Sequence, residues 1–174
     1  MKKSLVILCL LVLTTSCKKE DRIDAVKNNL IVEGKALIKQ NSSVLLDSVE
    51  QFDVRPEKEK NDAPKIIIGL IDSIPKRREE LNLGRTDGHT FVSFKLENED
   101  LVNFKSPYKL ILVRGKNNDI NIVFVTISKL RIERDKAYIV VEKVRGIGMV
   151  NEIYYFKKEN GIWVFIKKEL SKMG

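Results

Sequence analysis

The 174-residue sequence predicts an α+β fold, with N-terminal helices packed on a C-terminal antiparallel meander sheet of about five or six strands. Three observations carry this. Before Gly84 the apolar residues recur at helical spacing; after Thr90 the chain turns into β-branched and aromatic runs. Those runs are separated by turn signals, of which Asn160-Gly161 is the strongest. The chain shows no internal repeat, no low-complexity segment and no second composition, so residues 25–174 are expected to form one domain. A chain of this size buries roughly two-thirds of its unfolded surface, enough for a stable core without staples.

Ile23, Val26 and Leu30 form a helical stripe, although Gly34 weakens it and Leu30 to Ile38 also suits an extended segment. Ser42 and Ser43 are candidate N-caps for a second helix with Val44, Leu45, Val49 and Phe52 inward. Residues 55–65 are polar, contain Pro56 and Pro64, and read as a loop. Ile67, Leu70, Ile71 and Ile74 then repeat at helical spacing behind Pro64, while the Ile-rich start also suits a strand. Residues 76–83 are a short helical candidate ended by Gly84, and residues 85–89 read as a turn.

Val92, Phe94 and Leu96 alternate on one side of a strand beginning at Thr90. Residues 108–114 are a Leu, Ile and Val run, and Gly115 to Asp119 looks like a hairpin turn to the next strand, 120–133, bent near Ser128. Asp135-Lys136 leads to a strand over 137–145, which Gly146-Ile147-Gly148 breaks. Strands over 150–157 and 162–168 flank Asn160-Gly161, a pair that accepts the positive φ angles of a type I′ turn. That turn pairs Glu159 with Ile162, Phe156 with Phe165 and Tyr155 with Ile166. Tyr154, Phe156, Trp163 and Phe165 therefore share one face, expected to pack on the N-terminal helices. Tyr155, Val164 and Ile166 fall on the other.

The N-terminus carries an address. Lys2 and Lys3 precede an apolar run of about ten residues, Ser4 to Leu13, half the ~20 needed to span a bilayer. Small residues Thr14 to Ser16 follow, and then Cys17. This segment resembles bacterial lipoprotein signal peptides, whose lipobox ends in a small residue and cysteine, here Ser16-Cys17; Thr14 stands where that family usually has Leu. Lys18, Lys19, Glu20 and Asp21 resemble the surface-export tract of Bacteroidota lipoproteins. The resemblance implies removal of residues 1–16, acylation of Cys17, and a lipidated tether over 17–24. It further implies a place in the outer membrane, with the cell surface favoured over the periplasmic face. The pattern from Thr126 to Gly146, followed by Gly148 to Glu169 with its Asn160-Gly161 turn and Trp163, is similar to the C-terminal half of small lipoproteins of that group. That similarity implies a fold and an address and transfers no catalytic residue.

Cys9 lies in the apolar run and Cys17 is the acylation candidate, so no thiol is left for a disulfide or a cysteine zinc site. The formal net charge is +8; without Lys2 and Lys3, 30 basic residues face 24 acidic ones. The charges are interspersed along the chain, the pattern of a solvated mixed surface, with acidic glycans or lipid phosphates as the partners such a surface attracts. Basic and aromatic residues do not interleave in a nucleic-acid motif, and no nucleic acid partner is expected.

The catalytic candidates are thin. His89 is the only histidine and stands near Asp87, Thr90 and Ser93, without a Gly-x-Ser-x-Gly elbow. Gly146-Ile147-Gly148 lacks the lysine and helix of a phosphate loop. Glu79-Glu80, Glu97, Glu99 and Asp100 lie in charged, surface-like stretches. No catalytic residue, metal site or cofactor is expected. The expected function is a non-catalytic binding or structural module, held by lipid on Cys17, that takes a protein or glycan partner on a sheet face. The alternative is an immunity or inhibitor lipoprotein that masks a toxin or lysozyme-like enzyme. A flat aromatic patch favours the first reading, a protruding charged loop the second, and buried titratable residues lining a cleft favour an enzyme.

Overall fold

The computed structural model describes residues 25–53, 66–75 and 90–174. Helix α1 covers 25–40, a turn of helix α2 covers Ser42–Leu45, and a 3-10 helix follows at Asp47–Phe52. The strands are β1 (Ile67–Ile71), β2 (Ser73–Ile74), β3 (Thr90–Phe91), β4 (Phe94–Lys95), β5 (Lys109–Val113), β6 (Ile122–Glu133), β7 (Lys136–Arg145), β8 (Gly148–Glu159) and β9 (Ile162–Met173). The large sheet runs β5-β1-β6-β7-β8-β9, with β3 also paired to β6; β2 and β4 form a separate two-stranded piece. The fold is α+β, as expected.

The sheet is mixed rather than a pure antiparallel meander. Only β6 to β9 form the expected meander. The Ile-rich segment over 67–71 is a strand and not a helix, and it lies between β5 and β6, parallel to both. Its apparent helical spacing has a physical origin. A parallel strand in mid-sheet is covered on both faces and needs apolar residues at nearly every position, so period two disappears. Four of its five residues are buried. Gly69 is the exception in size, because a Cβ there would stand 2.8 Å from Ile122 Cγ2 and 3.2 Å from the Phe124 ring. Residues 115–119 are accordingly not a hairpin turn. The connection 114–121 returns along the outer side of the sheet, where Lys116 pairs with the outward Glu142 of β7.

The inner face of the sheet carries the main core. Ala137, Ile139 and Val141 of β7, Val150, Tyr154 and Phe156 of β8 and Trp163 of β9 are buried there with Leu37, Ile38, Leu45, Val49 and Phe52 of the helices. The expected aromatic face does pack on the N-terminal helices. Tyr154, Phe156 and Trp163 are at most 2% exposed, and Phe165 is half-buried with its ring 6.0 Å from that of Phe156. Helix α1 continues through Gly34 because a side chain there would collide with Phe94 and Leu130, at 2.8 and 2.9 Å from a Cβ. Asn41, not Ser42 or Ser43, takes the N-cap position of α2, without a side-chain cap. Its amide instead donates to Trp163 O at 3.0 Å, while Trp163 N donates to Gln40 Oε1 at 2.8 Å. Those two bonds cover the first outward backbone groups of edge strand β9, which otherwise invite pairing with another chain.

Asn160 and Gly161 have φ of 50° and 83°, the predicted type I′ turn. Gly146, at 58°, opens the β7–β8 hairpin, and Ile147 at its apex is fully exposed. The bend expected near Ser128 is a bulge: Ile127 pairs with Val141 and Lys129 with Val140. A second bulge was not foreseen. Phe156 pairs with Phe165, but Tyr155 pairs with Lys167 and not with Ile166. The helical candidate over 76–83, the turn at 85–89 and the residues His89, Asp87, Glu79 and Glu80 lie outside the described residues.

Phe156→Ala should lower unfolding free energy by about 3–5 kcal/mol, as for a buried aromatic. Val164→Ala, on the outer face at 39% exposure, should cost less than about 1 kcal/mol by the same denaturant titration. Equal losses at the two positions would contradict the assignment of faces.

Candidate functional site

Two constellations stand out, one on each side of the sheet. The outer one is built by register alone. Phe91 of β3 pairs with Arg131 of β6, Arg131 with Tyr138 of β7, Tyr138 with Tyr155 of β8, and Tyr155 with Lys167 of β9. Paired residues point to the same side, so five neighbouring strands present one transverse row. Its members touch in sequence. The Arg131 guanidinium carbon lies 5.9 Å from the Phe91 ring centroid and 5.8 Å from that of Tyr138. The rings of Tyr138 and Tyr155 are 6.4 Å apart, and Lys167 Nζ is 4.8 Å from the Tyr155 centroid. Lys167 stacked in this way keeps its charge toward solvent while its stem covers apolar surface, whereas the Arg131 side chain is only 20% exposed.

Polar partners of the row are few. Glu133 is 3.6 Å from Arg131 Nη2, beyond hydrogen-bond distance, and Arg131 Nε is buried with no acceptor among the described residues. Arg131 is thus placed by stacking and by its ion pair with Glu133. Lys167 donates to Glu169 at 2.6 Å, and the Tyr155 hydroxyl donates to the same carboxylate at 3.1 Å. That acceptor raises the Tyr155 pKa above 10.0. Val164 and Ile166, exposed by 39% and 54%, extend the apolar part of this face along β9.

The inner constellation is a closed set of charges. Lys143 of β7, Glu152 and Tyr154 of β8 and Lys168 of β9 project inward and meet Asp47 and Ser48 of the 3-10 helix. Lys143 Nζ donates to Glu152 Oε2 at 2.7 Å and to the Tyr154 hydroxyl at 2.8 Å. The Tyr154 hydroxyl lies 2.7 Å from Glu152 Oε2 and 3.0 Å from Asp47 Oδ1. Ser48 Oγ donates to Glu152 Oε1 at 2.6 Å. Lys168 Nζ reaches Asp47 Oδ2 at 2.9 Å and Glu152 Oε1 at 3.2 Å. Two cations face two carboxylates, and each buried member has a partner.

Burial pulls Lys143 below its usual 10.5, against the opposing pull of Glu152. Burial also pushes the Glu152 and Asp47 carboxyls up. The hydrogen bonds of Lys143 and Ser48 to Glu152, and of Lys168 to Asp47, together with the nearby ammonium charges, outweigh it and hold both acids below 4.5 and 3.8. Tyr154 is raised by burial and by the same carboxylates, so it stays a neutral donor.

None of the three clefts described here is lined by Lys143, Glu152 or Tyr154. One is an apolar cleft at the β7–β8 hairpin end, between Phe52, Ile120, Ile147, Met149 and Met173. The second lies between Asp72, Glu97 and Arg114, and the third between Val26, Glu33, Arg134 and Lys158. No cluster of metal-ligating side chains occurs among the described residues.

Among the residues singled out from sequence, Tyr155 alone of the aromatic set faces outward; Tyr154, Phe156, Trp163 and Phe165 belong to the inner face. Asp100 lies in a short helix, Asn98–Leu101, capped by Glu97, and ties it to α1, accepting from Glu97 N at 2.9 Å and from Lys35 Nζ at 2.6 Å. Cys17 and the tract Lys18, Lys19, Glu20 and Asp21 lie outside the described residues. Sequence reasoning missed Phe91, Arg131, Tyr138 and Lys167, because the row exists only through the pairing register and the bulge after Phe165. It missed the inner cluster too. The available signal was Lys143 and Glu152 at the inward phase of apolar strands. No protein-family model, curated protein or solved structure matches this chain.

Because Glu152 titrates below its unfolded value, its stabilising contribution is present above about pH 4.5 and disappears as pH falls through the lowered value. Wild-type melting temperature should therefore drop steeply below that pH, and Glu152→Gln should show a shallower acid limb from a lower starting stability. Parallel acid limbs would show that Glu152 is not held ionised by Lys143 and Ser48.

Proposed function

We propose that this chain is a lipid-anchored cell-envelope protein, a non-catalytic binding module at the outer membrane that takes its partner on the outer face of the sheet. The observation that carries the reading is the transverse row of Phe91, Arg131, Tyr138, Tyr155 and Lys167. It runs in register across five strands and presents rings and cations where the helices do not pack. Mixed aromatic and cationic surfaces of this kind are enriched where proteins bind partners.

Two further observations support it. Two of the buried ionisable residues, Lys143 and Glu152, neutralise each other away from the clefts, which supports structural work for that pair, while the buried Asp72 borders the cleft with Glu97 and Arg114 and pairs with Lys95 at 3.4 Å. Helix α1 begins beside the β6–β7 turn, where Val26 and Asn29 share a cleft with Arg134 and Asp135. A tether over 17–24 reaches at most roughly 28 Å from a lipid on Cys17. It would hold that end of the sheet toward the membrane and leave the row open to one side. No described helix is long and apolar enough to cross a membrane. Acyl chains at ~0.8 kcal/mol per buried methylene would supply the anchor. The aromatic row favours this reading over an immunity or inhibitor lipoprotein.

Cys17→Ser should leave the precursor uncleaved and abolish labelling by a palmitate analogue. Alanines at Lys18 to Asp21 should keep the label while reducing protease access on intact cells. Labelling that survives Cys17→Ser would refute the anchor.

A further inference from the structure

We propose that the outer-face row binds an acidic polysaccharide, one that carries uronate carboxylates along its chain; this rests on the reading of that face as a binding surface. Four features point to this class of ligand. The row crosses five neighbouring strands, roughly 19 Å at ~4.8 Å per strand. That is the length of a short oligosaccharide rather than of a single sugar. It lies on a sheet face and lines none of the three clefts, which suits a chain lying across a sheet more than a small molecule that needs enclosure. Its centre is a pair of tyrosine rings 6.4 Å apart, and the C–H faces of pyranose rings stack on such surfaces while their hydroxyls stay in water.

The fourth feature is charge. Both non-aromatic members of the row are cations, and they flank the tyrosine pair, Arg131 on one side and Lys167 on the other. Lys129, Lys136, Lys157 and Lys172 lie on the same face, against Glu133, Glu142, Glu159 and Glu169. Arg131 is decisive. Stacking between Phe91 and Tyr138 sets its plane, and its ion pair with Glu133, 3.6 Å from Nη2, is too long for a hydrogen bond and leaves the two Nη groups as the available fork. A planar fork held in this way is set to take a carboxylate by two parallel bonds, which an ammonium cannot do. A neutral glycan would use the tyrosines and gain nothing from the two cations beside them, which would keep only their pairs with Glu133 and Glu169. An anion without a C–H face would use the cations and leave the tyrosines.

The test is calorimetric titration of the full-length chain in detergent with polygalacturonate, alginate and, as the neutral comparison, dextran. The expected result is binding of the two uronate polymers that weakens with added salt, with dextran at least tenfold weaker. Tyr155→Ala and Arg131→Gln should each reduce uronate affinity at least tenfold. Arg131→Lys should recover only part, and Lys39→Gln, an equal loss of charge on an exposed part of α1, should change nothing. Circular dichroism and melting temperature confirm that each variant is folded. Failure of both uronate polymers to bind overturns the proposal, as does binding that Lys39→Gln weakens as much as Arg131→Gln. Dextran binding of equal strength, lost in Tyr155→Ala, overturns the acidic class and leaves the face as a binding surface. Binding indifferent to both row variants removes the face itself. A dimer seen by sedimentation and dissociated by Tyr155→Ala replaces the glycan with a second copy of the chain.

Discussion

Lys143 is wholly enclosed in the sheet, and an ammonium in that position is tolerable only if carboxylates come to it. Glu152 approaches from the next strand and Asp47 from the 3-10 helix, at 2.7 and 3.5 Å. The requirement runs in both directions. The helix must lie over β7 to β9 for Lys143 to be neutralised, and Lys168 must point inward for the second carboxylate charge to be met. One polar cluster thus decides which face of the sheet the N-terminal segment covers. Replacing such pairs by apolar residues often leaves stability nearly unchanged, so the contribution here is one of placement more than of strength. The hydrophobic face of Leu45, Val49 and Phe52 provides the attraction and the cluster provides the position.

Once the inner face is closed, the outer face becomes the place where side chains meet solvent. The return of 114–121 shields its β1 and β6 end, where Phe124, Ile122 and Ile71 form a small core of their own. The opposite end keeps Tyr138, Tyr155, Val164 and Ile166 accessible. The bulge after Phe165 matters here. It shifts the pairing by one residue and brings Lys167, rather than Ile166, beside Tyr155. A one-residue slip in a sheet changes what each face presents, and in this chain it turns an apolar neighbour into a cation.

What the sequence made legible follows from which forces are local. The Asn160-Gly161 turn, the alternation of Tyr154, Phe156 and Trp163, and the bend at Ser128 all depend on a few adjacent residues, and all were readable. The strand over 67–71 was not, since burial on both faces erased its period and its neighbours lie about forty residues and more away in sequence. The row of Phe91, Arg131, Tyr138, Tyr155 and Lys167 draws on five strands spread over 77 positions, from 91 to 167. No window of sequence contains it. Lys143 and Glu152 were visible as polar residues at inward phase, yet only the helix lying over them shows that they are partners rather than breaks in the pattern.

Hydrogen exchange on the full-length chain tests the placing role of the buried charges most directly. The comparison is between wild type and the double variant Lys143→Met with Glu152→Met, which removes the central pair and keeps volume. If the cluster positions the helix, amides over 42–53 should exchange at least tenfold faster in the variant while β6 to β8 keep their protection. Unchanged protection over 42–53 would contradict the account and show that apolar packing alone holds the N-terminal segment in place.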